Sequence, residues 1–316
     1  MGALDFQLGV KKEVTYGTPL VVDRFFEYNE PSTPIQARAA RTRGNPLRTG
    51  TRYRRADRTL PYFDRGEGTI SLDVMNKGFG FWLEHMLGSV ATAGAGPFTH
   101  TATEGQINGK SFTAQFNYPL NPSATNQAIT WAGGKVNQWT LSNSNDGMLV
   151  CELECDFNAA STATALATAS YPADMENLTW AGGVVSIGGA AIDVTEISIQ
   201  NNNNLDVARR FIRGNTARKE PTTGQAELTW SLTGEWDSLS QYNRVVSATR
   251  AGMQAEIEAV WTVGTSSLTA TIPIADFDTL DFAGNLGSIM QAVTGTAGRG
   301  ADSPITLVYT SDDTLP

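Results

Sequence analysis

The side chains of this 316-residue chain that could do chemistry fall into a few groups: alternating carboxylates, a run of arginines, two histidines and two cysteines. Glu152, Glu154 and Asp156 alternate with Cys151, Leu153 and Cys155, and Glu256 and Glu258 alternate with Ala255 and Ile257. Paired carboxylates are the groups of a glycoside hydrolase, but a strand with one solvated face gives the same spacing with no chemistry attached. Asp276, Asp278 and Asp281 offer oxygen ligands for Ca²⁺, yet the Asp-x-Asp-x-Asp-Gly loop is missing. His85 and His100 are the only histidines, too few for His-based triads or His-rich metal sites. His85 falls in a helical pattern and reads as packed. Cys151 and Cys155 share one face of an extended strand about 13 Å apart, beyond disulfide reach, and read as buried thiols. Neither catalysis nor a metal or cofactor is expected.

Net charge is −9, which argues against ordinary nucleic-acid binding, because affinity for phosphates comes from lysine and arginine displacing counterions. The charge is unevenly spread. Arg38, Arg41, Arg43, Arg48, Arg52, Arg54, Arg55 and Arg58 stand against Asp57 alone, a local +7 that leaves −16 elsewhere. The segment is polar, broken by Gly and Pro and free of aliphatic periodicity, so 38–58 reads as a long exposed loop that docks on an acidic partner surface.

The elements that must carry these residues are strands. Period-two alternation runs through 68–75, 110–118, 135–142, 148–157, 194–200, 226–233, 253–261 and 304–310. "SNSNDGM" between the third and fourth is a hairpin signal. Helical patterns occupy only 76–88 and 237–252, each with an N-cap candidate and a closing glycine. Hydrophobic content of 41% supplies cores, and no apolar run approaches the roughly 20 residues of a membrane span. With no signal-peptide core at the start, the chain reads as soluble and made in the cytoplasm.

Low-complexity "AASTATALATASYPAD" (159–174) has a linker's composition and nearly bisects the chain, predicting domains at 1–158 and 175–316. The two sides echo each other. "ARTRGN" (40–45) answers "RFIRGN" (210–215), "GEGTISLDVM" (66–75) answers "GQAELTWSLT" (224–233), and "FTAQFN" (112–117) answers "MQAEIE" (253–258). Strand, arginine-bearing segment, strand, helix, strand is thus written twice. The four asparagines 201–204 then fill the place of "NEPSTP" (29–34), and asparagine's tolerance of left-handed geometry suits a bend there.

At this point the chain resembles the major tail tube proteins of long, non-contractile-tailed bacteriophages. The residues carrying the resemblance are "KKEVTYGTPLVVDRFFEY" (11–28), "GTISLDVMNKGFGFWLEHMLGS" (68–89), "VTEISIQNNNNLDVARRFIRGNTARKEPTTGQAELTWSLTGEW" (194–236) and "LTATIPIADFD" (268–278). It implies a mainly β fold: here a tandem-duplicated antiparallel β-sandwich or half-barrel, each copy with one flanking α-helix, forming an inner β-barrel when copies join into rings. Rings would stack into the virion's tail tube, the conduit for DNA ejection, after assembly in the host cytoplasm. The implied partners are the chain itself, a tail terminator, a tape measure protein and baseplate or distal tail proteins, with duplex DNA passing without specific binding. An acidic or neutral lumen would let DNA slide. Its candidate residues are Thr113, Gln115, Asn117, Gln254, Glu256 and Glu258, then Glu152, Glu154 and Asp156. The arginine loop would join ring to ring. The duplication predicts three chains per pseudo-sixfold ring, against the family's usual six single-domain subunits. The alternatives are another virion component, such as a capsid decoration or baseplate protein, or a secreted carbohydrate-binding β-sandwich.

Overall fold

Alternating apolar and polar residues make strands that bury one face, and most of the strands found match that pattern; β3 buries neither face and β7 buries both. The structure is a computed structural model that describes residues 6–29, 34–45, 48–50, 52–120, 125–285 and 288–313. The first half carries β1 (Gln7–Lys12), β2 (Arg24–Phe26), β3 (Gln36–Arg43), β4 (Thr59–Asp73), β5 (Gly88–Ala93), β6 (Phe98–Glu104), β7 (Phe112–Asn117), β8 (Ala128–Ser144), β9 (Val150–Phe157) and β10 (Ala159–Ser161). Helix α1 (Gly80–Leu87) precedes β5. The second half carries β11 (Gly183–Ile187), β12 (Ala190–Ile192), β13 (Val194–Asn202), β14 (Glu227–Glu235), β15 (Gln254–Val263), β16 (Ser266–Asn285), β17 (Ser288–Ala297) and β18 (Thr306–Ser311). Helices α2 (Ser240–Val245) and α3 (Arg250–Met253) separate β14 from β15.

All pairings between these strands are antiparallel, and they resolve into one long sheet and two smaller ones. The long sheet runs β3–β4–β9–β8–β13–β14–β17–β16. The first small sheet runs β2–β1–β7–β8–β10, and the second β5–β6–β18–β16–β15–β11–β12. β8 and β16 therefore each serve two sheets. Residues 128–134 of β8 pair with β7 and residues 135–142 with β9; β16 passes from β15 to β17 near Ala275. The crossing is made at bulges, between Val136 and Gln138 and between Phe277 and Thr279, which bend a strand without breaking it. Gly133, at φ 69°, supplies the left-handed step in β8 that a side chain would resist.

The order of strand pairing in the first half recurs in the second. The order β2–β1–β7–β8–β10 is repeated by β12–β11–β15–β16–β18, and β4–β9–β8 by β14–β17–β16. The bridge Asn29↔Ser71 stands where Gln200 of β13 faces Thr229 of β14. The β5–β6 hairpin has no counterpart and extends the second small sheet. Between the halves, β13 pairs with β8 over seven residues, so the long sheet is continuous across the midpoint. Residues 159–174 lie against the first small sheet. Gln115 Nε2 donates to Ala165 O (3.1 Å), Ala167 N–H donates to Gln115 Oε1 (2.8 Å), and Lys77 Nζ donates to Ala173 O (2.7 Å).

The long sheet packs its apolar face on both small sheets, forming one core. Ile70, Leu72, Trp139, Leu153, Ile199 and Trp230 meet Phe112, Trp131, Ile257, Trp261, Leu268 and Tyr309, all at most 3% exposed. Trp261 Nε1 donates to Asn143 Oδ1 across the layers at 3.0 Å, and the Phe112 and Phe157 rings meet at 5.7 Å. Each fully buried Leu or Ile contributes about 2 kcal/mol, so this shared core couples the halves. No helix among the described residues is long and apolar enough to cross a membrane.

Three sequence readings need correction. The helix expected over 76–88 begins only at Gly80, since Gly78 at φ 85° interrupts it, and ends where Gly88 at φ 92° donates back to Glu84 O. The helix expected over 237–252 is two short ones. The Thr249 hydroxyl accepts from Gly252 N–H and caps a new start, while Ser247 Oγ donates to Thr249 O; such local bonds compete with the helix ladder. The loop expected over 38–58 is in part a strand, β3, paired with β4. None of its residues is buried, so two wet faces left no hydrophobic period to read.

Candidate functional site

The opposite face of the long sheet is polar from β4 to β16, and Arg38, Arg65 and Glu67 continue it onto the β3–β4 hairpin. Register places Ser71, Glu152, Thr140, Gln200, Thr229 and Thr296 side by side across six strands. A second row is Ser142, Ser198, Ser231, Thr294 and Thr279. A third is Thr69, Glu154, Gln138, Asn202 and Glu227. Neighbours in a row stand about 5 Å apart. Hydroxyls, amides and carboxylates fill these rows, with no lysine or arginine among them. Such a wall offers a phosphate backbone no counter-charge to grip.

Of the residues named from sequence, Glu152 and Glu154 lie on this face. Asp156 lies at its end but is covered. The Arg218 guanidinium donates through Nη2 to Asp156 Oδ1 (2.5 Å) and Phe157 O (2.8 Å), and through Nη1 to Val207 O (2.6 Å). Burial pushes the Asp156 carboxyl up from its ordinary value, with Arg218 pulling the other way.

Thr113, Gln115 and Asn117 are on no wet face: they are 0, 2 and 1% exposed. The 159–174 stretch covers β7 at Gln115, Thr113 Oγ1 donates to Glu13 Oε1 (2.9 Å), and Asn117 Nδ2 donates to Asn126 Oδ1 (2.9 Å). Sequence alternation could not foresee a covering strap. Glu256 and Glu258 alternate with buried Ile257 and Ala259 on β15, in a small sheet. Their wet face is therefore the far side of the sandwich from Glu152 and Glu154, and the two sets cannot line one lumen. Gln254, on the same strand, donates to Asp276 Oδ1 at 2.7 Å.

The arginine segment projects as an arm. Gln36–Arg43 pairs with residues 59–67 of β4, and Ala56–Arg58 form a 3-10 turn near its tip. Arg38 pairs with Glu67 at 2.7 Å and Arg55 with Asp57 at 2.7 Å. Among the described residues, no carboxylate lies within 4.0 Å of Arg41, Arg43, Arg48, Arg52, Arg54 or Arg58. Arg41, Arg43 and Arg54 line one open hollow beside Ala39.

The repeat foresaw a counterpart of the arm in the second half but not where it packs. After β13 the chain makes a second hairpin, with the bridge Leu205↔Thr223 and Lys219 N–H donating to Arg209 O (2.9 Å). This one lies on the first half. Arg210 Nη1 donates to Asp64 Oδ1 (2.7 Å) and the guanidinium stacks 5.0 Å from the Tyr62 ring. Buried Lys135 pairs with Glu220. The mixed charges of "VARRFIRGNTARKE", which supply Arg210, Arg218 and Glu220 to these contacts, were the available signal for that packing. Of the four asparagines, Asn201 and Asn202 end β13, and Asn203 and Asn204 form the bend that leads into this hairpin. Asn204 is left-handed at φ 46°, Asn203 Nδ2 donates to Val136 O (3.1 Å), and Asn137 Oδ1 accepts from Leu205 N–H (2.9 Å).

The remaining reactive types are packed. His85 is 1% exposed against Phe81 and Phe112, and burial lowers its pKa to about 4. His100 is wholly buried between Thr92 Oγ1 (2.8 Å) and Asp313 O (3.0 Å). Cys151 and Cys155 are buried, unbonded thiols, and burial pushes both up.

No curated protein matches the chain. A family model described as "Phage tail tube protein" matches residues 4–297, nearly the whole length and both halves of the sandwich. With its mainly antiparallel β-sandwich and this match, the chain belongs to the phage tail tube protein family, a structural component of the virion tail that associates with itself and with other tail proteins.

Proposed function

We propose that three copies of this chain close into a ring whose inner wall is the polar face of the long sheet, and that rings stack into the conduit through which DNA is ejected. The observation that carries the reading is the β8–β13 seam. It joins one four-stranded set to its repeat within a single chain. The residues of β16 beyond Asp276 pair with β17 on one side only, whereas the matching stretch of β8 pairs on both. A second copy placing its Asn29 region there would repeat the seam, and exposed edges of this kind are closed by pairing. Two chains would make a sixteen-stranded barrel, the size that encloses an aqueous channel for small solutes. Three make twenty-four strands, and at about 4.8 Å per strand the backbone circle is roughly 37 Å across before tilt. That leaves room for a duplex about 20 Å wide.

The lumen is then acidic and neutral, lined by Glu152, Glu154 and the hydroxyl and amide rows, with Glu256 and Glu258 on the outer wall. Tail terminator, tape measure and baseplate or distal tail proteins would meet the two ends of the stack, which assembles in the host cytoplasm before joining the virion. Assembled tubes viewed in cross-section test this directly. Threefold symmetry and a ring mass of three times the 33.9 kDa chain are expected; six equivalent chains per ring would refute the stoichiometry, and absence of tubes would refute the conduit.

A further inference from the structure

The antiparallel registers give the long sheet two unlike ends. At one end the β3–β4 arm runs past Phe157, the last residue of β9, by residues 59–65, roughly 20 Å of extended chain. At the other end, β14 stops at Glu235 and β16 turns back into β17. There the Trp236 ring meets Phe282 edge-on at 4.7 Å and Tyr242 at 6.4 Å. Phe282, Leu239 and Ile289 are 53, 61 and 53% exposed. The matching end of the first half is covered within the chain: Leu178 N–H donates to Val74 O, its carbonyl accepts from Leu149 N–H, and its side chain is wholly buried. The second half has no such cover among the described residues.

We propose that the arginine arm of one copy seats on the Trp236–Phe282 cluster of a second copy in the adjoining ring. The inference rests on the tube reading, because head-to-tail stacking is what brings opposite ends of the same sheet together. Charge selects the occupant. The arm carries +7, while residues 175–316 hold 8 Lys and Arg against 16 Asp and Glu, compared with 15 against 16 in residues 1–174. Glu235 and Asp237 flank Trp236 in the chain and Asp281 precedes Phe282, so the end of the sheet that holds the cluster is acidic, and none of the three has a cation within 4.0 Å among the described residues. Guanidinium groups bind aromatic faces and carboxylates together. Tyr53 and Leu60, 78 and 56% exposed on the arm, supply apolar surface for the cluster to cover.

The two native thiols are buried, so introduced cysteines can be read cleanly. Tubes assembled from an equal mixture of Arg54→Cys and Asp237→Cys chains, treated with a short bismaleimide, should yield a cross-linked dimer that isolated rings do not. Equal cross-linking in isolated rings, or capture by Asn145→Cys at the first half's end in place of Asp237→Cys, would overturn the seating. In parallel, Arg52→Glu with Arg54→Glu should shorten tubes at least tenfold, and Asp237→Arg with Asp281→Arg should restore them; tubes of full length from the arm variant alone would also overturn it. Wild-type chains that form no tubes would instead overturn the tube reading beneath it.

Discussion

Replacing Arg218 by alanine should destabilise the chain by about 3–5 kcal/mol, the cost of leaving a buried carboxylate without its cation. The side chains of Arg218 and Asp156 are 1 and 7% exposed, so water cannot take the place of the guanidinium. Three charge-assisted hydrogen bonds go with it, to Asp156 Oδ1, Phe157 O and Val207 O. Against a total stability of about 5–15 kcal/mol this is a large fraction, a factor of roughly 10² to 10³ or more in the folded population. The double replacement Arg218→Met with Asp156→Leu removes both charges and keeps apolar volume, so it should fall within about 2 kcal/mol of wild type. The coupling between the sites should then exceed about 1 kcal/mol. Urea unfolding followed by tryptophan fluorescence gives all of these values, and trypsin should cut the 205–223 hairpin faster in the single variant. A loss under about 1 kcal/mol for Arg218→Ala, or a double variant as unstable as the single, would refute the claim that this pair holds the second hairpin to the first half.

In the proposed three-copy ring, changing Glu152 and Glu154 to Lys would put six ammonium groups on the inner wall. Ejection should slow and become salt-sensitive, with unchanged ejection showing that these side chains do not face the DNA. His85 titrates in the folded chain near 4, below its ordinary 6.5, because burial disfavours the charged ring. Stability from it is full above pH 6.5 and falls as pH drops toward 4, by about 2.5 kcal/mol between pH 7 and 4.5; urea midpoints for His85→Gln should lack that part of the loss. Gly295→Ala would set a methyl 1.8 Å from Asp276 O and 2.7 Å from the Trp230 ring. It should cost about 3 kcal/mol in thermal or chemical unfolding by distorting the β16 bulge.

Alternation placed β4, β7, β8, β9, β13, β14, β15 and β18, at least in part, because most of these bury one face only: Ile197, Ile199 and Asn201 inward, Ser198 and Gln200 outward. The same rule could not say which wet face is which. Glu152 and Glu258 look alike in sequence, and only the pairing of β9 and β15 in different sheets puts them on opposite sides. β3 was invisible because it has no buried side, and the β5–β6 hairpin because its Ala, Thr and Gly residues carry little alternation. The strap over Gln115 was hidden for a different reason. Its bonds to Ala165 and Ala167 are made by backbone groups, which no side-chain pattern reports.

In the proposed three-copy ring, the seam between β8 and β13 would change the kinetics of assembly. It forms as the chain folds, at an effective concentration set by the tether and independent of how many chains the cell has made. In a ring of three copies, half of the six junctions are therefore first-order events completed before any encounter. Only the other three depend on concentration, so the nucleus is at most third order where six separate domains would have made it sixth. A dilute pool of early chains can close rings under those terms.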